Sequence, residues 1–340
     1  MLGDDPCKVS LYSSSGTFIS DLTRYIISGS FSRKANAIST FSGSFVLDQG
    51  SCVDLESIDF WSTYIVCERD DRDQWSGPVT NVVYNDGNIE VVASDKSAYW
   101  TRTYVATATY SLVDVAEIAD DLISNSLATN LFALPEISRS TAGTVLSKSY
   151  VGSEYKSLSD AIDGLTGLNW TVFCETVFLS GTYDNASSVV KIDDTLWNPL
   201  PTVERSGQTY ANQVIVVGKG VVGVAEAPAD EISFYGLITR RYDEADLKTQ
   251  ASVNSSALNH LARCRDSTYL NTDGSSVLSP KLNISLAELI PGSFVEVDHS
   301  VGPYPVQRRM RIDEVGFDCV TGKTTLALEP LAIPDEGTLS

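Results

Sequence analysis

Histidine and methionine are almost absent from this chain, with two of each in 340 residues. With His260 and His299 as its only imidazoles, the sequence has little material for general-base chemistry or for histidine-rich metal sites. Neither histidine stands in a GxSxG context or beside a recognisable cysteine nucleophile, so no Ser-His-Asp or Cys-His constellation is legible. His260, in LNHLARCR, reads as a satisfied or surface helix histidine. His299, in VDHSVGPYP, reads as a turn residue. No run approaches the 18 apolar residues of a membrane-spanning helix. The opening MLGDDPCKVSLYSSSG lacks the basic and apolar regions of a signal peptide.

Positive charge is also scarce. Lys and Arg number 24 against 44 Asp and Glu, a net charge of −20. Tight duplex binding needs clustered cations that displace counterions from phosphates, and the densest cluster here is Arg308, Arg309 and Arg311. An acidic surface fits solubility, and it also fits a surface that DNA passes without adhering. The six cysteines (Cys7, Cys52, Cys67, Cys174, Cys264, Cys319) are scattered. None forms a CxxC or lies at ligand spacing from a histidine, so they read as reduced, mostly buried thiols.

What the chain does contain favours strands. It is 43% hydrophobic and 20% charged, as a folded protein is, and Ser, Thr, Val, Gly and Tyr are abundant. CKVSLYS, SGSFSRKANAISTFSGSFVL and STYIVCERD show strand-like runs separated by turn residues. In NVVYNDGNIEVVASD, Asn85-Asp86-Gly87-Asn88 predicts a tight hairpin between Val82–Tyr84 and Ile89–Val92. Helical spacing then appears in SLVDVAEIADDLISNSL. Leu112, Val115, Ala116, Ile118, Ala119, Leu122 and Ile123 share a face there, and Ser111 with Asp114 resembles a capping box. A shorter helix, capped by Ser157 and Asp160, carries Leu158, Ala161, Ile162 and Leu165 and leads into a strand at Trp170–Phe173. Beyond Asp243, Leu247, Ala251, Leu258, Leu261 and Ala262 predict a third helix, expected to begin late because Val253–Ser256 is polar. The last segment is read as strand throughout, with a hairpin turning at Thr321-Gly322-Lys323. Val315 and Phe317 lie on one arm, and Leu326 and Leu328 on the other.

Candidate chemistry is thin. The carboxylate pairs Asp4-Asp5, Asp70-Asp71, Asp120-Asp121 and Asp193-Asp194 read as solvated turns, not as a glycosidase acid and base. ERDDRDQWSG lacks the alternating ligands of a calcium loop and reads as a charged hairpin tip. GKGVVG has G-x-G-x-x-G spacing, but Pro228 stands where the helix of a dinucleotide site should run, so it reads as a tight turn. The sequence therefore predicts no enzyme, no catalytic residue, no cofactor and no metal.

Four segments in order resemble the tail hub proteins of long-tailed bacteriophages, the group related to the myophage baseplate hub. They are WSGPVTNVVYNDGNIEVVASDKSAYWTRTYV with its Ala93-Ser94-Asp95, the helical insertion ending in LNWTVF, YANQVIVVGKG followed by SFYGLITRRYDEADLKTQASVNSSALNHLARCR, and PGSFVEVDHSVGPYPVQRRMRIDEVGFDCVTGKTTLALEP. The resemblance covers about two thirds of the chain, from Trp75 onward. Each motif is strand-and-turn grammar, and their order carries the likeness. It implies an α+β, mainly β protein with two barrel-like β domains. Residues 1–105 would form the first, 106–175 a small α+β insertion, 176–200 a return to the first, and 201–335 the second, with a helix near 243–265.

It also implies a homotrimeric ring at the tail tip or baseplate, with a tube or distal tail protein above and tip, fibre or spike proteins below. DNA would pass its lumen without specific binding, and the virion would be assembled in the host cytoplasm. Two other readings stand beside it. A receptor- or carbohydrate-binding β-domain would display Trp61, Trp75, Trp100, Trp170 and Trp197 on loops, whereas they lie within or beside expected strands. A tail-associated hydrolase would depend on scattered carboxylates.

Overall fold

The computed structural model describes residues 6–46, 58–129, 135–181, 190–198, 202–205, 207, 210–265, 268–271, 277–278, 285–301 and 304–330. Strands dominate it, with a few helices, so the fold is α+β and mainly β. The first unit contains β1 (Lys8–Ser13), β2 (Phe18–Asp21), β3 (Ile26–Lys34), β4 (Thr40–Val46), β5 (Thr63–Arg69), β6 (Arg72–Asn85) and β7 (Asn88–Ser94). They pair antiparallel in the order β3-β4-β7-β6-β5-β1-β2. Period-two alternation sorts their side chains. Phe31, Phe41, Phe45, Ile89, Val91 and Ala93 are buried, while Ser30, Ser42 and Glu90 between them are exposed. The expected hairpin is present, with Asn85 opposite Asn88 and Gly87 at φ +86. Asp70 and Asp71, at φ +54 and +56, turn β5 into β6. Both central residues of such a two-residue turn need positive φ, which aspartate tolerates better than bulkier residues do.

Next come β8 (Ala108–Asp114), α1 (Val115–Thr129), β9 (Glu136–Arg139), β10 (Val145–Tyr150), α2 (Leu158–Asp163), β11 (Leu168–Phe173) and β12 (Thr176–Gly181). Val115, Ala116, Ile118, Ala119, Leu122 and Ile123 of α1 are buried as their spacing predicts. Leu112 is not part of that face. It lies on β8 at φ +53 and is 64% exposed. The cap is Asp114 rather than Ser111, because its carboxylate accepts from Ala116 N (3.0 Å) and also from Ala142 N (3.1 Å) and Gly143 N (3.0 Å). One carboxylate thus starts the helix and holds the loop before β10. In α2 the Ser157 hydroxyl accepts from Asp160 N at 3.0 Å, as expected.

The chain continues through β13 (Val190–Asp193), β14 (Trp197–Asn198), β15 (Thr202–Arg205), β16 (Gln213–Val217), β17 (Val222–Glu226), α3 (Ala229–Tyr235), β18 (Thr239–Asp243), α4 (Gln250–Arg265), β19 (Thr268–Asn271), β20 (Val277–Leu278), β21 (Phe294–Val301), β22 (Tyr304–Asp318) and β23 (Thr324–Pro330). Here the pairings differ from the expected limits. Residues 176–181 pair with β11 and β9, whereas β13 pairs with β21 and β14 with β20. The segment 176–200 therefore divides between the insertion and the C-terminal strands. The helix expected within the second barrel packs instead on the small sheet β17-β16-β18, where Val253, Ala257, Leu261 and Cys264 meet Val214, Val216 and Ala225. Leu258, expected on that face, is 60% exposed. Its i, i+3 spacing to Leu261 is helical, but the buried stripe runs one residue earlier, at 253, 257, 261 and 264.

Two cores result. One is formed by β1–β7 together with β13, β14 and β20–β23. The other joins the 99–179 insertion to the 211–264 segment. The β units meet where β22 pairs antiparallel with β3, setting Phe317 opposite Phe31, Val315 opposite Arg33 and Asp318 opposite Ser30. Phe31 stacks on Phe317 (centroids 5.4 Å apart) and on Trp75 (6.5 Å), and Trp75 meets Phe41 at 5.9 Å. This aromatic row crosses the joint with no break in the core. Replacing Phe317 by alanine removes one side of the stack and leaves a cavity. Phe317→Ala is expected to lower unfolding free energy by about 3–5 kcal/mol, measured by chemical denaturation, and a loss under 1 kcal/mol would contradict a tightly packed joint.

Candidate functional site

The residues that could have carried chemistry are dispersed and structurally occupied. His260 Nε2 lies 2.8 Å from Glu244 Oε1, and its ring stacks on Tyr242. Glu244 also accepts from Ser256 Oγ at 2.7 Å, and these partners hold its carboxyl below the ordinary range against the opposing effect of burial. His299 is a strand residue of β21, not a turn residue. It is fully buried and its Nδ1 is bonded to the Asp194 carboxylate. The flanking VGPYP pattern suggested a turn, but the strand runs two residues past the histidine.

Asp193 caps the turn at Thr195, while Asp121 accepts from Tyr110 Oη at 2.6 Å. Asp4, Asp5 and Cys52 lie outside the described residues. Among the described residues, no group of three or more His, Cys, Asp or Glu is placed to hold a metal, and no helix is long and apolar enough to cross a membrane.

GKGVVG is a turn with a packing role. Gly218 N donates to Val221 O at 2.9 Å, and Gly220 has φ +77. A Cβ at Gly223 would come within 2.4 Å of the Val253 carbonyl of α4. The glycine spacing thus serves a close helix-on-sheet contact. Of the Arg308, Arg309, Arg311 cluster, Arg309 and Arg311 are engaged within the fold. Arg311 is buried against Glu329 and donates to Asn169 Oδ1 at 3.4 Å, while Arg309 lies over the Phe294 ring. Trp75, Trp100, Trp170 and Trp197 are each 5% exposed or less, and Trp61 is partly buried against Tyr99.

The feature left for function is the outer face of the sheet opposite the aromatic row. Directly opposed residues in an antiparallel ladder share a face. One line across five strands reads Asp318, Ser30, Ser42, Val92, Asn81. A second reads Ser28, Ser44, Glu90, Val83. Between β22, β3 and β4 the face dips into an open groove of about 390 Å³, lined by Ser30, Ser32, Thr40, Ser42, Glu314, Asp318, Lys323 and Thr325. Of the nearby cations, Lys34 pairs with Glu314 at 3.5 Å, and Lys323 is exposed at the groove. The result is a hydroxyl-rich, weakly acidic surface continuous across both β units. Sequence alternation exposes these serines one strand at a time, but nothing in it indicates that five strands align them.

Two buried polar groups, unrecognised in the sequence, hold this face in place. Arg33 is 1% exposed and donates from Nη2 to Leu286 O (2.7 Å) and Leu289 O (3.0 Å), with its guanidinium over Phe173. Burial lowers its pKa to about 10, so it stays charged near neutrality. Asp95, which follows β7, accepts from Ser39 N (2.8 Å) and from Ser97 N (2.9 Å) and Oγ.

No protein-family model and no curated protein matches this chain. Solved structures do. A tail protein from Neisseria meningitidis MC58 superposes with a TM-score of 0.65 at 11% identity, over 95% of this chain and 96% of that one. The prophage MuSo2 43 kDa tail protein from Shewanella oneidensis gives 0.65 at 12%, over 96% and 100%. The E. coli c3393 protein gives 0.50 at 9%, over 90% and 73%. It is a type VI secretion component with structural similarity to the T4 tail proteins gp27 and gp5. The chain therefore has the fold of these phage tail proteins, and the likeness extends at a lower score to the c3393 protein.

Desolvation of the buried Asp95 carboxyl, opposed by its hydrogen bonds, raises its pKa from 3.8 to about 6. The folded state thus holds this proton more tightly than the unfolded state, so stability falls as pH rises through that window and is lowest above it. The contribution is on the order of 3 kcal/mol. Asp95→Asn keeps an acceptor but cannot ionise, so it should remove this part of the fall in denaturation midpoints between pH 4 and 6. An unchanged pH slope in the variant would exclude Asp95 as its source.

Proposed function

We propose that this chain is a structural, non-catalytic phage tail hub protein. The observation carrying this reading is the single sheet that runs through both β units and presents one continuous hydroxyl and carboxylate face, in a fold matching phage tail proteins along nearly its whole length. On this reading three copies form a ring in the virion tail, at the tip or baseplate. The two β units of each chain supply six similar positions facing the channel. A tube or distal tail protein sits above, and tip, fibre or spike proteins sit below.

The polar face turns toward the lumen. Hydroxyls and carboxylates outnumber the cations there, with Lys34 paired to Glu314 and Lys323 at the groove, so the face offers DNA phosphates little to hold them. The excess of acidic residues over the whole chain favours passage over binding in the same way. We read residues 6–94 and the C-terminal strands as the ring body, with the two α+β segments 95–181 and 202–271 as peripheral insertions. The chain would be made in the host cytoplasm and leave it as part of the virion. The burial of four of the five tryptophans disfavours a sugar-binding surface built on them.

Light scattering on the purified chain at several concentrations is expected to give a mass three times the 36.8 kDa of one chain, with rings visible by negative-stain microscopy. A strict monomer at all concentrations, alone and with tail extracts, would contradict the ring. The double substitution Ser30→Lys and Ser42→Lys should leave assembly intact yet slow DNA release from virions carrying it, because it adds cations to the channel. Unchanged release would remove the polar face from the lumen.

A further inference from the structure

Three cysteines far apart in sequence converge at the seam between the β units. Cys7 immediately precedes β1, Cys67 lies on β5 opposite Val9, and Cys319 follows β22. All three are 1% exposed or less, and all are free thiols. Because Val9 and Cys67 face the same side of the ladder, Cys7, two residues earlier, faces that side as well. Cys7 N donates to Cys319 O at 3.0 Å, and Cys319 N donates to Gly29 O at 2.8 Å. Cys319 is also the neighbour whose thiol acts on both the Cys7 and the Cys67 thiol. A backbone hydrogen bond of this kind brings two Cα atoms to the spacing a disulfide spans, roughly 4.4–6.8 Å.

We infer that Cys7 and Cys319 form a redox-closable staple: a disulfide between the first strand of the first β unit and the end of the strand that joins the units. The oxidant is a small-molecule disulfide, of which glutathione disulfide is the probe. The Cys7 thiolate attacks one sulfur of that disulfide and expels one glutathione. The Cys319 thiolate then attacks the Cys7 sulfur of the mixed disulfide and expels the second. The two thiol protons end on the two glutathiones, and the protein loses two electrons to the reagent.

The site has opposing electrostatics. The hydrogen bond to Cys319 and burial raise the Cys7 pKa, while the Arg69 and Arg33 guanidiniums favour its thiolate. Burial raises Cys67, and Cys319 is raised chiefly by its bond to Cys67. Closure is therefore slow at neutral pH and accelerates as pH rises. Cys7 immediately precedes β1, so fraying of the first pairs of that strand is enough to reach it. Cys67 lies mid-strand between β1 and β6.

The full-length chain, incubated with glutathione disulfide at mildly alkaline pH, quenched by alkylation and digested without reductant, tests the assignment. The Cys7 and Cys319 peptides are expected in one cross-linked species, with a pair of thiols lost from alkylation. Cys67→Ser should retain the link, and Cys319→Ser should abolish it while keeping the cooperative melt of the parent. Thiols that all remain alkylatable after prolonged oxidation would overturn the inference. So would a link joining Cys319 to Cys67.

Discussion

The pairing of β22 with β3 is the constraint on which the rest of the molecule depends. Without it, the two β units would be separate small barrels with open edges, a hazard that sheet proteins normally avoid. With it, Phe317, Phe31, Trp75 and Phe41 form one apolar row through both units. Arg33 lies in the same register, opposite Val315, and is spent on the Leu286 and Leu289 carbonyls just before β21. Nη2 of this buried guanidinium is met, whereas Nε and Nη1 are buried without hydrogen-bond partners, so its burial carries a desolvation cost. At this position it pins the second unit at a point that apolar packing alone would leave free to slide.

The same few residues also attach the insertion. Ala35 N donates to Asp313 O (2.9 Å), Asn36 N to Trp170 O (2.7 Å), Trp170 N to Asn36 Oδ1 (2.8 Å), and Thr171 Oγ1 to Lys34 O (2.9 Å). Asn36 sits at φ +54, a left-handed conformation that asparagine tolerates. Immediately after β3, therefore, the chain meets β22, β11 and its own sheet within three residues. The polar outer face follows from this arrangement. Once one side of β22, β3, β4 and β7 is committed to the aromatic row, period-two alternation leaves the other side to serine, threonine and carboxylates, continuous across the joint.

Local structure was largely legible in the sequence. The Asn85–Asn88 hairpin, the Ser157 cap, the buried stripe of α1 and the closing hairpin at Gly322 each follow from neighbouring residues, and spacing is enough to read them. The non-local relations could not be read. Nothing in Val190–Asp193 indicates that it pairs with Phe294–Val301, about a hundred residues later. Nothing in the spacing of α4 says which of two sheets it covers. The burial of Arg33 and Arg311 could not be read either, because burial of a charge depends on carbonyls and carboxylates supplied from far along the chain. His299 was misplaced because Gly and Pro just beyond it weigh towards a turn in the sequence, whereas the strand containing it runs on to Val301.

Native-state hydrogen exchange across the joint tests this account most directly. If β3·β22 is the structural hinge of the molecule, the amides of residues 30–34 and 314–318 exchange only through global unfolding, and both segments share one opening free energy with the cores on either side. If the amides of 314–318 exchange through a lower-energy opening while 41–45 and 89–93 stay protected, the β units are separable bodies. The continuous face and the ring built on it would then lose their foundation.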